Sequence, residues 1–247
     1  MTTDLRLSAL VLILLCSFSC SAQKEQTQQQ TQQQTNDRYI FKNGSYDGIG
    51  KWYMDREIAH VMGYQGINWL ERAEREKEEN ASKLIKDMNI QPTDVIADIG
   101  AGSGYHVFKM SPLAPEGKVY AVDIQQEMLD AIRAKKRGKV YKNIALVKGV
   151  AESVNLQKNS VDKLLMVDVY HEFEFPYEML LSIKESLKAS GSIYLIEYRG
   201  EDDSVPIKAL HKMTEAQAVK EMAAAGFKLR ENISNLPWQH CMVFVKE

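Results

Sequence analysis

The chain is 247 residues long, has a formal net charge of −2, and is 45% hydrophobic. Such a length suits one domain with a sizeable core plus a tail, and 31 basic against 33 acidic residues leave no electrostatic footprint for nucleic acid. Three cysteines, Cys16, Cys20 and Cys241, form neither a disulfide framework nor a metal-ligand spacing, so no metal site is assigned.

Residues 1–22 read as a signal segment. Arg6 precedes the apolar run Leu7 to Leu15, and small residues follow at Ser17, Ser19, Ser21 and Ala22. The run to Cys20 is about fourteen residues, short of the ~20 that a membrane-spanning helix needs. Two processing outcomes stay open. Cleavage after Ala22 leaves Gln23 first, whereas Ser19-Cys20 resembles the junction of a bacterial lipoprotein, in which a lipidated Cys20 tethers the chain to a membrane. Either outcome makes the protein exported: membrane-anchored, periplasmic or secreted. Without processing it stays cytoplasmic. Residues 23–38, rich in Gln and Thr, have nothing apolar to bury and read as a disordered linker.

Residues 39–90 read as two helices. Asn43-Gly44 and Asp47-Gly48 are turn signals. Trp52 to Gly63 then carries Met54, Ile58, Val61 and Met62 at helical spacing, with Gly63 where a C-cap glycine sits. A second helix is expected from Asn68 to Met88, with Leu70, Ala73, Ala81, Leu84, Ile85 and Met88 on one face. Its stretch ERAEREKEEN reads as a solvated face.

The sharpest signal follows. Val95 to Ile99 is a short β-branched run that predicts a buried strand, and Gly100, Gly102 and Gly104 come directly after it. A helix is expected from Tyr105, stopped by Pro112. Strand, glycine turn and helix N-terminus together make a nucleotide site, because the free N–H groups of the turn face the ligand. The dinucleotide spacing G-x-G-x-x-G puts its third glycine on Tyr105, and no Gly-Lys-Ser/Thr follows, so neither dinucleotide nor triphosphate fits well. Asp98-Ile-Gly-Ala-Gly-Ser-Gly104 resembles motif I of the class I S-adenosylmethionine-dependent methyltransferases. That resemblance implies S-adenosylmethionine as cofactor, held by Asp98, Gly100, Gly102 and Gly104. An acid at the strand end suits a ligand with a cationic sulfonium and an ammonium. It also implies that the two leading helices cap the cofactor, with Tyr53, Met54, Arg56 and His60 as candidates for the pocket wall.

Lys118 to Asp123 predicts a second strand ending in an acid roughly twenty residues past the glycines, placed to accept both ribose hydroxyls. Ile124 is positioned to lie against adenine, and a helix is expected over 125–137. Strand three, Ile144 to Lys148, leads to Gly149-Val-Ala-Glu152, which resembles the family segment bracketing adenine and implies roles for Ala151 and Glu152. The nearly all-apolar Val161 to Val169 predicts a deeply buried parallel strand. It ends at Asp168-Val-Tyr-His171, which resembles the strand-four ending that faces the transferred methyl in small-molecule methyltransferases. Asp168 is thereby implied as a cofactor contact and Tyr170 and His171 as catalytic, His171 because its ordinary pKa lies near neutrality. A histidine that merely caps the following loop remains open.

A helix over 176–187, a strand from Ser192 to Tyr198 after Gly191, and a polar segment 199–212 without readable chemistry come next. Thr214-Glu-Ala-Gln217 is a capping box opening a helix to Ala225. Strands 227–233 and 241–245 close the chain and resemble the family's C-terminal hairpin, with Trp238, Gln239 and His240 as further pocket candidates. The expected fold is α/β: a doubly wound, mostly parallel seven-stranded Rossmann-like sheet over 91–247 with N-terminal cap helices. The expected function is methyl transfer to a small-molecule acceptor by in-line displacement. An exported non-catalytic ligand-binding module and an NAD-dependent oxidoreductase are the alternatives.

Overall fold

The computed structural model describes residues 38–137 and 141–247. The signal segment and most of the linker (residues 1–37) lie outside the described residues.

The main sheet is built from β4 (Val95–Ile99), β5 (Lys118–Asp123), β6 (Ile144–Lys148), β7 (Val161–Val167), β8 (Leu187–Arg199), β10 (Phe227–Asn232) and β11 (Gln239–Lys246). Their order across the sheet is β10-β11-β8-β7-β4-β5-β6, with a two-residue β9 (Lys212–Met213) pairing on β8. Pairs β4–β5, β4–β7, β5–β6 and β7–β8 are parallel, and β11 runs antiparallel between β8 and β10. The expected doubly wound sheet with its inserted last strand is present.

Alternation along the strands explains why both faces are covered. Ala97, Ile99, Leu164, Met166, Ile193, Leu195, Met242 and Phe244 fall in one buried cluster; their chain neighbours Ile96, Leu165, Tyr194, Ile196, Cys241 and Val243 fall in another. The first cluster is completed by α6 (Pro176–Ser186) and α7 (Glu215–Ala224), through Leu180, Ile183, Ala218 and Met222. The second takes Leu84 from α3 (Ala81–Asp87) and Met88 from its C-cap, Val107 and Met110 from α4 (Tyr105–Met110), and Ile132 from α5 (Gln126–Lys136). Thr214 caps α7 as expected, its hydroxyl oxygen accepting from Gln217 N at 3.1 Å. β8 starts earlier than expected, at Leu187, so Gly191 lies inside the strand, where pairing with β7 slips between Val161 and Lys163.

The N-terminal helices are corrected. Residues 39–59 form a three-stranded antiparallel sheet of β1 (Tyr39–Phe41), β2 (Gly48–Tyr53) and β3 (Arg56–Ala59). Met54 and Asp55 both have positive φ, 48° and 75°, and make the two-residue turn that matches strand twist. Tyr53 and Ile58 are buried with Tyr39 against Phe175 and Tyr177 at the start of α6. The helical spacing of Met54 and Ile58 was therefore coincidental: one is in the turn and the other is core. The expected helix over 68–88 is also broken, into α1 (Ile67–Leu70), α2 (Arg75–Glu79) and α3. Asn80 makes the break: at φ 53° it ends α2 and its Oδ1 accepts from Lys83 N to start α3.

Candidate active site

Because β4 pairs β5 on one side and β7 on the other, the carboxyl ends of these strands open a crevice at the switch point of the sheet. A cavity of about 540 Å3 occupies it. Its floor is the glycine loop. Gly100 and Gly102 line the cavity with φ of +70° and +52°. A Cβ at Gly100 would stand 2.4 Å from Val169 Cγ2, and one at Gly102 2.7 Å from Leu70 Cδ1. Both positions need glycine for conformation and for space.

Asp123 ties this loop to the tip of β5. Its Oδ2 accepts from Gly102 N at 2.9 Å and its Oδ1 from Gln125 N at 2.7 Å, and it lines the cavity. Burial raises its pKa against the pull of those N–H groups. Beside it Ile124, Met128, Val150 and Ala151 form an apolar slot. Gln125 reaches across to the N-terminal segment, accepting from Tyr64 N at 2.8 Å and donating to Met62 O at 2.9 Å. Val61, Met62, Trp69 and Leu70 thereby form the opposite wall.

Two carboxylates at neighbouring strand ends are short of partners. Asp98, at the end of β4, is buried with no hydrogen bond to Oδ2, and burial pushes it up to about 8. Asp168, after β7, accepts from Gln239 Nε2 at 2.6 Å through Oδ2, but its buried Oδ1 has no partner. Burial holds its pKa well above the carboxylate range, with Glu79 and Glu197 adding to the effect. Its φ of 50° is the left-handed backbone that aspartate tolerates better than most residues. Facing it is a network from α2, the turn before it, and β8. Arg72 Nη2 and Arg75 Nε donate to the two oxygens of Glu79 at 2.6 and 2.7 Å, and Tyr198 Oη donates to the first at 2.9 Å.

At the other end stand His171, Glu172 and His211. Glu197, fully buried in β8, accepts from His171 Nδ1 at 2.6 Å and from the backbone N–H groups of Tyr170 and His171 at 2.9 and 3.3 Å. Burial lowers the His171 pKa, but the Glu197 charge and hydrogen bond more than reverse this, and the net shift is upward. His171 Nε2 meets His211 Nδ1 at 3.1 Å. Glu172 accepts from Met62 N at 3.0 Å, so the N-terminal wall is pinned at this end too. Burial pushes Glu172 up to about 7, and burial with the neighbouring His171 pushes His211 down to about 4.

A family model described as a methyltransferase domain matches residues 90–240. The chain belongs to this family. An uncharacterised methyltransferase of Bacillus subtilis is 23% identical over 164 residues, covering 65% of this chain, and the match spans 64% of that relative's length. A solved SAM-dependent methyltransferase from Aquifex aeolicus shares the fold with a TM-score of 0.70 at 21% identity, over 74% of this chain and 98% of its own. A trans-methyltransferase solved in complex with SAH superposes with a TM-score of 0.54 at 18% identity, over 68% of this chain and 56% of its own.

The residues present fit S-adenosylmethionine, the cofactor that the glycine motif implies. Asp123 presents a carboxylate acceptor of the kind ribose hydroxyls need, the Ile124–Val150–Met128 slot suits a flat apolar ring such as adenine, and the unpartnered Asp168 oxygen suits an ammonium. Of the residues expected from the sequence, Gly100, Gly102, Asp123, Ile124, Ala151, Asp168 and His171 line the cavity. Asp98 and Gly104 lie outside its lining; Gly104, at φ +82°, is the N-cap of α4 and shapes the loop. Glu152 is exposed and outside the lining.

Tyr170 is corrected. Its ring is fully buried away from the cavity, and its hydroxyl donates to Glu221 Oε2 at 2.9 Å. In the 3-10 turn Tyr170–Glu172 successive side chains splay about 120° apart, so Tyr170 points back to Glu221 while His171 and Glu172 line the cavity. Of the cap candidates, Tyr53, Met54, Arg56 and His60 are all outside the lining. Arg56 acts from behind: it grips Glu221 with two hydrogen bonds, at 2.7 and 2.8 Å, and donates to His171 O at 3.1 Å. Trp238 and His240 do not line the cavity either, while Gln239 reaches it through Asp168.

Sequence reasoning missed Arg72, Arg75, Glu79, Glu172, Glu197, Tyr198 and His211. Glu197 carried a signal: it is the one acid inside the apolar run SIYLIEY, and a buried charge needs a partner. His211 carried none, because its partner is forty residues away.

Proposed function

We propose that this chain transfers a methyl group from S-adenosylmethionine to a small-molecule acceptor that enters at the His171–His211 end of the cavity. The observation that supports this most is continuity: one cavity runs from the glycine loop and Asp123 to His171 and His211. S-adenosylmethionine supplies a methyl on a cationic sulfonium, and attack by an acceptor lone pair in line with the carbon–sulfur bond releases S-adenosylhomocysteine.

The residues of the chain bind, orient and exclude water. Asp123 accepts from ribose hydroxyls, and Ile124, Val150 and Met128 enclose adenine. Asp168 meets the ammonium with its free oxygen, and the Arg72–Arg75 pair offers positive charge to the carboxylate. Residues 61–72 cover the cavity, which favours a dry site where alignment does most of the catalytic work. His171 and His211 form a polar end for the attacking atom. An acceptor of small-molecule size suits a cavity of about 540 Å3 that has this cover.

The test is to incubate the protein with methyl-labelled S-adenosylmethionine and separate fractions of bacterial extract. Label in the fraction below roughly 1 kDa, with S-adenosylhomocysteine formed, is expected; label confined to RNA or protein would overturn the acceptor class. We also propose that residues 1–22 direct export, with Cys20 lipidated or cleavage after Ala22. Mass spectrometry of the cell-derived chain should then begin at an acylated Cys20 or at Gln23, and an intact Met1 would refute it.

A further inference from the structure

We propose that His171, Glu172 and His211 form a binding site for a divalent first-row transition ion at the acceptor end of the cavity. The three side chains come from two separate segments, the turn after β7 and the single turn Ala209–His211 that precedes β9. Their donor atoms converge: His171 Nε2 lies 3.1 Å from His211 Nδ1, and Glu172 Oε1 lies 3.8 Å from the first and 3.7 Å from the second. Ligands at about 2.1 Å from an ion, with angles between octahedral and tetrahedral, stand about 3.0–3.4 Å apart. The two nitrogens already meet that spacing, and the carboxylate needs to move only a few tenths of an ångström.

The surroundings point the same way. The fully buried Glu197 accepts a hydrogen bond from His171 Nδ1–H at 2.6 Å, which in the neutral ring leaves Nε2 with its lone pair directed at the cluster. A carboxylate behind a ligating histidine fixes both its tautomer and its ring orientation. Glu197 is itself fixed by two backbone N–H groups, so this support is rigid. Between the two imidazoles, a hydrogen bond requires a proton on His211 Nδ1. An ion placed among the three groups takes that proton's position and bonds both nitrogens. Two imidazoles and one carboxylate suit zinc, iron(II), cobalt(II) or manganese(II) better than magnesium or calcium, which prefer an all-oxygen shell.

Three protein ligands leave coordination positions open, and these face the cavity that also holds Asp168. A hydroxyl or thiol of the acceptor fills one and ionises there more easily. Its proton leaves to solvent, its lone pair forms the bond to the methyl carbon, and the carbon–sulfur electron pair returns to sulfur. This consequence rests on the methyl-transfer reading; the metal site does not.

The test uses the full chain, stripped with a chelator and dialysed. Zinc is titrated in by calorimetry, and cobalt(II) is followed by its visible absorption. One equivalent of zinc is expected, with affinity falling at least about tenfold in His211→Ala, Glu172→Gln and Glu197→Gln and unchanged in His60→Ala. Undiminished binding in His211→Ala, or no saturable binding to the unmodified chain, would overturn the site. S-adenosylmethionine binding measured on the same samples separates the two proposals. Its retention in His211→Ala shows that the variant is folded, whereas its absence in the unmodified chain strikes the methyltransferase reading and leaves the metal result standing.

Discussion

Asp123 has two jobs. Its carboxylate braces Gly102 and Gln125 through their N–H groups and also faces the cavity. Asp123→Asn keeps the shape but sets an amide N–H₂ against one of those donors. Affinity for S-adenosylmethionine should drop by roughly a hundredfold, the worth of one or two charge-assisted hydrogen bonds. Unchanged affinity by calorimetry would remove Asp123 from the site. Tyr170 separates the readings of the strand-four ending most cleanly. If its hydroxyl serves only Glu221, Tyr170→Phe costs about 1 kcal/mol in urea unfolding and leaves cofactor affinity alone. A stable variant with lost affinity would put the tyrosine back in the site. Asp98 gives a pH signature. Burial lifts it to about 8 while Arg75 pulls it down and Asp123 pushes it further up. An acid with a higher pKa folded than unfolded holds extra protons in the native state, so stability falls as pH rises from about 4 to about 8. Asp98→Asn should flatten that fall in thermal melts across this range; an unaltered slope would contradict it.

The N-terminal elements matter more to the site than their position in the chain suggests. β3 delivers Arg56 to the fully buried Glu221, and the same guanidinium holds the His171 carbonyl. Arg56→Ala strands a buried carboxylate and should cost roughly 3–5 kcal/mol, read as a large drop in unfolding midpoint. A loss below about 1 kcal/mol would mean that the pair is not structurally important. These elements were also the least legible in the sequence. The hairpin turn at Met54-Asp55 has neither glycine nor asparagine, and Met54 with Ile58 imitates a helical face. Arg72, Arg75 and Glu79 sit in a stretch of alternating charge that reads as solvated, yet Arg75 and Glu79 are buried because they pair with each other and with Tyr198. By contrast β4, the glycine loop and Asp123 were legible, since their constraints are local: a buried run, a turn needing positive φ, and an acid at the next strand tip.

Across the whole molecule, the doubly wound sheet carries one half of the cavity and the N-terminal layer closes the other. Gln125 and Glu172 pin residues 62 and 64 to the sheet from both ends of the crevice. Ligand binding should therefore slow amide exchange in residues 61–72 and in the glycine loop while β4 and β8, already buried, change little. Protection confined to the sheet would show that the layer is not a cover. Methyl transfer requires that the crevice at the end of β4 bind the methyl donor. Titration calorimetry of the purified chain with S-adenosylmethionine and S-adenosylhomocysteine tests it most directly. Saturable one-to-one binding of both, weakened about a hundredfold in Asp123→Asn while the protein stays folded, is the expected result; no binding of either ligand to the folded chain would contradict it.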